Sequence, residues 1–228
     1  MGAGACPPGA NRERIVVPFF EALGWFAAVL GMSASVPQLV RLWRSRTSAG
    51  LSILLWQLNV GGSAAWTLHG FHVGKLQLQV PNIVCTILFT AILWLILRDR
   101  DLRLLPRLVM PVVLAAALFG LDLWLGPVVF GIVVAVPLLF GQSAQLKYMW
   151  GSPDLTGVSL PTLAVSVVMQ STWLVWGIGV GEAAITVCAG LMTAICGANL
   201  AYYAWRRLVG TAGAVTSEIA TGAVDAVA

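Results

Sequence analysis

The sequence predicts an all-α membrane protein: seven transmembrane helices arranged as two parallel three-helix bundles joined by a linker helix, a 3-1-3 order. Three observations predict it. The 228 residues are 59% hydrophobic and only 10% charged, with mean hydropathy +0.89, more apolar material than a soluble domain can hide. Several runs approach the roughly 20 apolar residues that cross a hydrocarbon core about 30 Å thick. The stretch 35–97 also recurs 107 residues later, with fifteen identities over 63 positions and no gap, Gln38/Gln145, Trp43/Trp150, Gly50/Gly157, Trp66/Trp173, Gly70/Gly177 and Gly74/Gly181 among them. A shared bias toward Leu, Val and Ala would not hold Gln, Trp and Gly in step, so the match is an internal repeat.

The elements follow in order. Residues 1–18 open with MGAGACPPGANRERIVV, rich in Gly, Pro and charge and without the apolar run of a signal peptide, and are expected to be a disordered lead. Seven spans follow at about 19–42, 52–71, 76–97, 106–125, 128–149, 160–179 and 183–205. They divide into a first three-helix repeat at 19–97, a linker helix within 98–126 and a second repeat at 127–206. Three crossings are an odd number, so two fused copies would face opposite ways. The fourth span, in neither repeat, restores a parallel orientation. The Ala-, Gly- and Thr-rich tail at 207–228 is expected to be disordered.

Charge placement sets the orientation. The links after spans one, three, five and seven carry Arg41, Arg44, Arg46, Arg98, Arg100, Arg103, Arg107, Lys147, Arg206 and Arg207; the other side has Arg12, Arg14 and Lys75. Ten against three predicts an N-terminus outside and a C-terminus in the cytosol, in the cell membrane. The net charge of +4 is spread over short links and gives no nucleic-acid face. Cys6, Cys85, Cys188 and Cys196 lack metal-ligand spacing, and the last three read as small buried hydrophobes. No nucleophile–base pair or metal cluster is visible. Neither an enzyme, a cofactor nor a bound metal is expected, and the bilayer is the one certain surrounding. A homo-oligomer is neither required nor excluded.

The candidate site comes from depth. Trp66 lies eight residues before Gly74 and Asn82 eight after it; Trp173 and Ala189 stand at the same distances from Gly181. At 1.5 Å per residue all four sit about 12 Å from their turn, near the midplane of the hydrocarbon core. Asn59 and Ser63 share the helical face of Trp66, as Ser166 and Gln170 share that of Trp173, with Gly62 and Met169 one turn before each indole. The polar members could equally be interhelical hydrogen-bonding partners, and the indoles could be packing bulk. No Asp, Glu, Lys, Arg or His lies in the middle third of a span; Glu21, Asp122 and Glu182 fall at span ends. That argues for an uncharged solute and against tight coupling to an ion gradient. An indole face and an amide together suit a neutral polyol. Pro37 interrupts the first helix, and Gln38 and Gln145 can meet carbonyls freed by bending. A static kink and a moving hinge both fit.

The Pro37-Gln38 pair, the RTSAGLS link, Trp66 and the Pro81-Asn82 pair together resemble the PQ-loop superfamily, and within it the SWEET and SemiSWEET sugar facilitators. The resemblance covers residues 20–205. It implies passive, bidirectional movement of a mono- or disaccharide by alternating access, with Trp–Asn pairs gripping the sugar. Trp66, Asn82 and Trp173 match those positions, and Ser33 and Phe140 match the pocket-lining positions of helices one and five. The chain departs from the pattern at Ala189, which replaces the second Asn, and at Ala144-Gln145, where Pro-Gln would stand. The lost amide removes a hydrogen bond worth about 0.5–1.5 kcal/mol. A PQ-loop carrier of another small solute, such as an amino acid or a vitamin-like nucleoside, is the alternative. A non-transporting seven-helix receptor or scaffold is a third, against which the duplication counts.

Overall fold

The computed structural model describes the backbone of residues 10–152, 155 and 158–225, and side chains between residues 18 and 209. Seven helices account for nearly all of it: α1 (Ala10–Ser45), α2 (Ile53–His72), α3 (Leu76–Asp99), α4 (Leu104–Leu125), α5 (Pro127–Gly151), α6 (Leu160–Val180) and α7 (Ala183–Asp225). Within each half the third helix lies between the other two: α3 packs on α1 and α2, and α7 packs on α5 and α6. The linker α4 lies mainly against α2, with a smaller contact to α5. The fold is the expected 3-1-3 arrangement.

Equivalent residues of the repeat carry out the same local tasks. Ser52 caps α2 by accepting from the Leu55 N–H, and Ser159 caps α6 by accepting from the Thr162 N–H. Each cap satisfies one of the donors a helix start leaves orphaned. Gly74 and Gly181 turn the chain at φ +67° and +68°, a region that costs a side chain strain and glycine nothing. Gly70 and Gly177 let the second and third helices of each half approach closely. A Cβ on the first would come within 2.9 Å of the Gln79 nitrogen, and one on the second within 3.0 Å of the Thr186 nitrogen. The Gly74 and Gly181 turns define one end of the bundle, the hairpin end; the links after α1 and α5 define the other, the link end.

At the link end an arginine from each half secures the chain. Arg100 donates to the carbonyls of Ser48 and Leu51, while Asp99 accepts from the Ser48 N–H and hydroxyl. In the second half Arg206 donates to the carbonyls of Met149 and Ser152.

α1 begins at Ala10 and α7 continues to Asp225, so helix reaches into the second half of the 1–18 lead and through most of the 207–228 tail. The lead's first nine residues and the last three lie outside the described residues. The tail's many alanines have the highest helix propensity, and both segments extend a helix already nucleated in the bundle. Further, six of the seven helices are long and apolar enough to cross a membrane by composition alone. α2 is the exception. Its 20 residues are long enough, but Gln57, Asn59, Ser63, Thr67, His69 and His72 dilute its hydropathy. Gln57, Ser63 and His69 are buried, turned into the bundle.

Candidate functional site

Three apolar clusters show how the halves meet. One draws on all seven helices, from Phe20 and Leu23 through Trp66, Leu78, Leu118, Phe130 and Trp176 to Ile185 and Met192. It lies toward the hairpin end and joins both halves. The other two belong to the link end and do not cross: Leu42, Trp56, Ile92 and Leu97 in the first half, Met149, Leu155, Leu163 and Tyr203 in the second. The bundle is shut at one end by a shared core, and each half closes on itself at the other.

The contacts across the shut end are close. Trp66 meets Phe130 edge-on at 4.9 Å. Trp176 lies against Gly24, where a Cβ would collide with its indole nitrogen. Gly24 is the position at which α1 admits a large ring from α6.

The residues expected to line the site divide between this core and its edge. Trp66 is buried within it, and Trp173 packs half-buried against it, edge-on to Trp176 at 5.5 Å. Ala189 is buried on α7. Asn82 is half-buried, its amide nitrogen donating to the Leu78 carbonyl at 2.8 Å, which leaves its oxygen as the acceptor. Ser63 and Thr86 join α2 to α3 beside it, their hydroxyls 2.9 Å apart, and Thr86 also donates to the Asn82 carbonyl. Asn59, Gly62 and Met169 are half-buried, and beyond Gly62 there is open space within 4 Å of where a Cβ would stand. Ser33 and Phe140 are not drawn into the core: Phe140 is 73% exposed, and the Ser33 hydroxyl turns back to the Leu30 carbonyl. Pro37 sits exposed inside an unbroken α1, with Gln38 and Gln145 half-buried. A cleft of about 270 Å³ lined by Leu42, Trp43, Arg46, Leu95, Arg98 and Asp99 lies at the link ends of α1 and α3, away from Trp66 and Asn82.

Sequence reasoning missed the polar heart of the shut end. His69, fully buried on α2, places Nδ1 2.8 Å from Asp122 Oδ2 of α4 and Nε2 3.1 Å from Glu182 Oε1 at the start of α7. Its ring stacks on Phe130 of α5 at 4.9 Å. Asp122 and Glu182 fall at span ends in the sequence, and both carboxylates are buried, at 3% and 5% exposure. Glu182 also caps α7, accepting from the N–H groups of Ala184 at 3.1 Å and Ile185 at 2.6 Å. Burial pushes its carboxyl up, but the hydrogen bonds from His69 and the α7 backbone outweigh that and hold it below the ordinary range. The other oxygen of Asp122 has no partner among the described residues. One signal was available: an Asp inside the apolar run LFGLDLWL carries a desolvation penalty unless something pairs with it.

Comparison with known proteins bears on the fold. The family profile described as PQ loop repeat matches residues 19–79, which reach from α1 through α2 into the first turn of α3. Curated proteins give no match by sequence. Among solved structures, one of a eukaryotic SWEET transporter at 3.7 Å resolution aligns with a TM-score of 0.64 at 15% identity, covering 83% of this chain and 99% of that one. At that identity the likeness speaks for the fold alone. Residues 19–79 thus match a PQ-loop repeat, and the fold is that of the SWEET transporter structure over 83% of the chain.

Proposed function

We propose that the protein is a uniporter that moves a small neutral sugar, a mono- or disaccharide, down its gradient by alternating access in the cell membrane. The observation that carries this reading is the packing asymmetry: one apolar core spans both halves at the hairpin end, while the link ends keep separate cores. A bundle built of two rigid halves sharing a core at one end can rock about the middle, opening that end as the other closes. With the hairpin end outside, as the cation count expects, this packing corresponds to an inward-facing state. Trp66, Asn82, Trp173 and Ala189 then lie at the hinge of the movement, with Asn59, Gly62 and Met169 toward the link end and Ser33 and Phe140 along the open side. The Asn82 oxygen is the free acceptor for a sugar hydroxyl, and the indoles offer faces for its C–H groups. The SWEET likeness favours sugar over other neutral solutes.

A proton-linked carrier of another small solute is the second reading, and the buried His69–Asp122–Glu182 cluster favours it. Flux of labelled mono- and disaccharides into proteoliposomes decides between them. Uniport predicts sugar entry that persists with uncoupler present. Uptake that collapses with the proton gradient would support the second reading.

A further inference from the structure

Seven helices meet at the hairpin end, and among the described residues one place there buries ionisable groups from both halves. His69 belongs to α2 and Asp122 to α4, which pack together as part of the first half; Glu182 belongs to the second. The His69–Glu182 contact therefore crosses the surface along which the halves would separate.

Proton counting gives the consequence. Both ring nitrogens of His69 lie within hydrogen-bond distance of a carboxylate oxygen, and a carboxylate has only acceptors. A neutral imidazole carries one N–H and can satisfy one of them. Two hydrogen bonds need two protons, whether the ring is an imidazolium or one carboxyl holds the second proton against a ring nitrogen. The three groups are one coupled unit, so the count does not depend on where that proton sits. Two α7 N–H groups already bond the Glu182 carboxylate, which favours its ionised form. Once the halves part and the cluster is hydrated, water can donate to or accept from either ring nitrogen, and a solvated imidazole holds a second proton only below its ordinary value near 6.5.

We propose that His69, Asp122 and Glu182 form a proton-binding site that latches the hairpin end, one proton entering as that end shuts and leaving as it opens. Acid on that side favours the shut state; alkali favours opening. The groups facing the ring are few. α4 contributes Asp122, the start of α7 contributes Glu182 with the Cys188 thiol near it, and α5 contributes the uncharged Phe130. On α2 itself His72 is exposed and turned to Phe119, and Glu21 of α1 is exposed. The latch rests on the alternating-access reading, but its test needs no solute, so failure of sugar transport and failure of the latch are separate results.

The test uses the full chain in lipid nanodiscs, with Cys6, Cys85, Cys188 and Cys196 replaced and nitroxides on cysteines at Phe71 and Ile178. These two are exposed, equivalent positions of the two halves near the hairpin end. Pulsed electron–electron distances are recorded from pH 5 to pH 9. One proton predicts that the ratio of short to long distances falls about tenfold per pH unit above roughly pH 6.5 and levels off below it. His69→Gln and Glu182→Gln each flatten that dependence. Gln at 182 can donate to the ring, so no second proton is needed. A ratio independent of pH in the unmodified cluster, or an unchanged slope in a folded His69→Gln or Glu182→Gln protein, overturns the proposal.

Discussion

His69 and Trp176 occupy the same place in the two halves. Each lies 107 positions from the other, each is fully buried, and each stands edge-on to the Trp one turn before it. The Trp66–His69 and Trp173–Trp176 rings are both 5.5 Å apart, at 84° and 85°. The duplication thus kept the geometry and changed the chemistry. One half presents a ring that binds two carboxylates; the other presents an indole whose N–H has no partner among the described residues. Each closes its own side of the hairpin end.

The pocket residues make the first prediction. The Asn82 oxygen has no partner among the described residues while the nitrogen bonds its own helix, so Asn82→Ala removes an acceptor and little packing. Sugar flux falls to roughly a tenth or less, the effect of about one lost hydrogen bond at the solute, with unchanged surface expression. Trp66→Ala differs because the side chain also fills the shared core. It loses flux and about 3–5 kcal/mol of stability, whereas Trp66→Phe retains most of the stability. Flux assays and thermal unfolding in the same detergent separate the two effects.

Closure at the hairpin end makes the second. Gly24→Val drives a branched side chain into the Trp176 indole and favours separation of the halves. Cys188, buried in that core at 6% exposure, becomes reactive toward a maleimide at least several-fold faster once Cys6, Cys85 and Cys196 are replaced. An unchanged rate would mean that α1 and α6 yield without opening the bundle.

The link end makes the third. Arg100→Ala strips charge-assisted hydrogen bonds from the Ser48 and Leu51 carbonyls and a neighbour from Asp99. The loss is about 2–3 kcal/mol, which for a chain of this size lowers the midpoint of thermal unfolding by roughly 4–12 °C. Lys at this position restores only part of it, since one ammonium nitrogen cannot bond the Ser48 hydroxyl as well as both carbonyls, as Nε and Nη2 of the guanidinium do together.

Much of this architecture was legible in the sequence because the repeat preserved residues with strict local duties. Ser52 and Ser159 must cap, Gly74 and Gly181 must turn, and Gly70 and Gly177 must admit a neighbouring backbone, so identity survived at those places. The His69 cluster was not legible for the opposite reason. Its equivalent position holds Trp, its partners lie 53 and 113 residues away, and one of them sits on α4, outside the repeat. Depth along a helix was also a poor guide to solvation. Asp122 and Glu182 fall at the ends of hydrophobic runs, yet tertiary packing buries both. The exposure of Phe140 was equally beyond helical spacing.

Counterflow tests the central claim most directly: that two halves shut at one end and separate at the other carry a neutral sugar across. Proteoliposomes are loaded with unlabelled sugar and diluted into trace labelled sugar with uncoupler present. The account predicts a transient accumulation of label inside above its outside concentration, which Asn82→Ala slows about tenfold. Label that only equilibrates, or that enters no faster than into protein-free vesicles for any mono- or disaccharide, would contradict it.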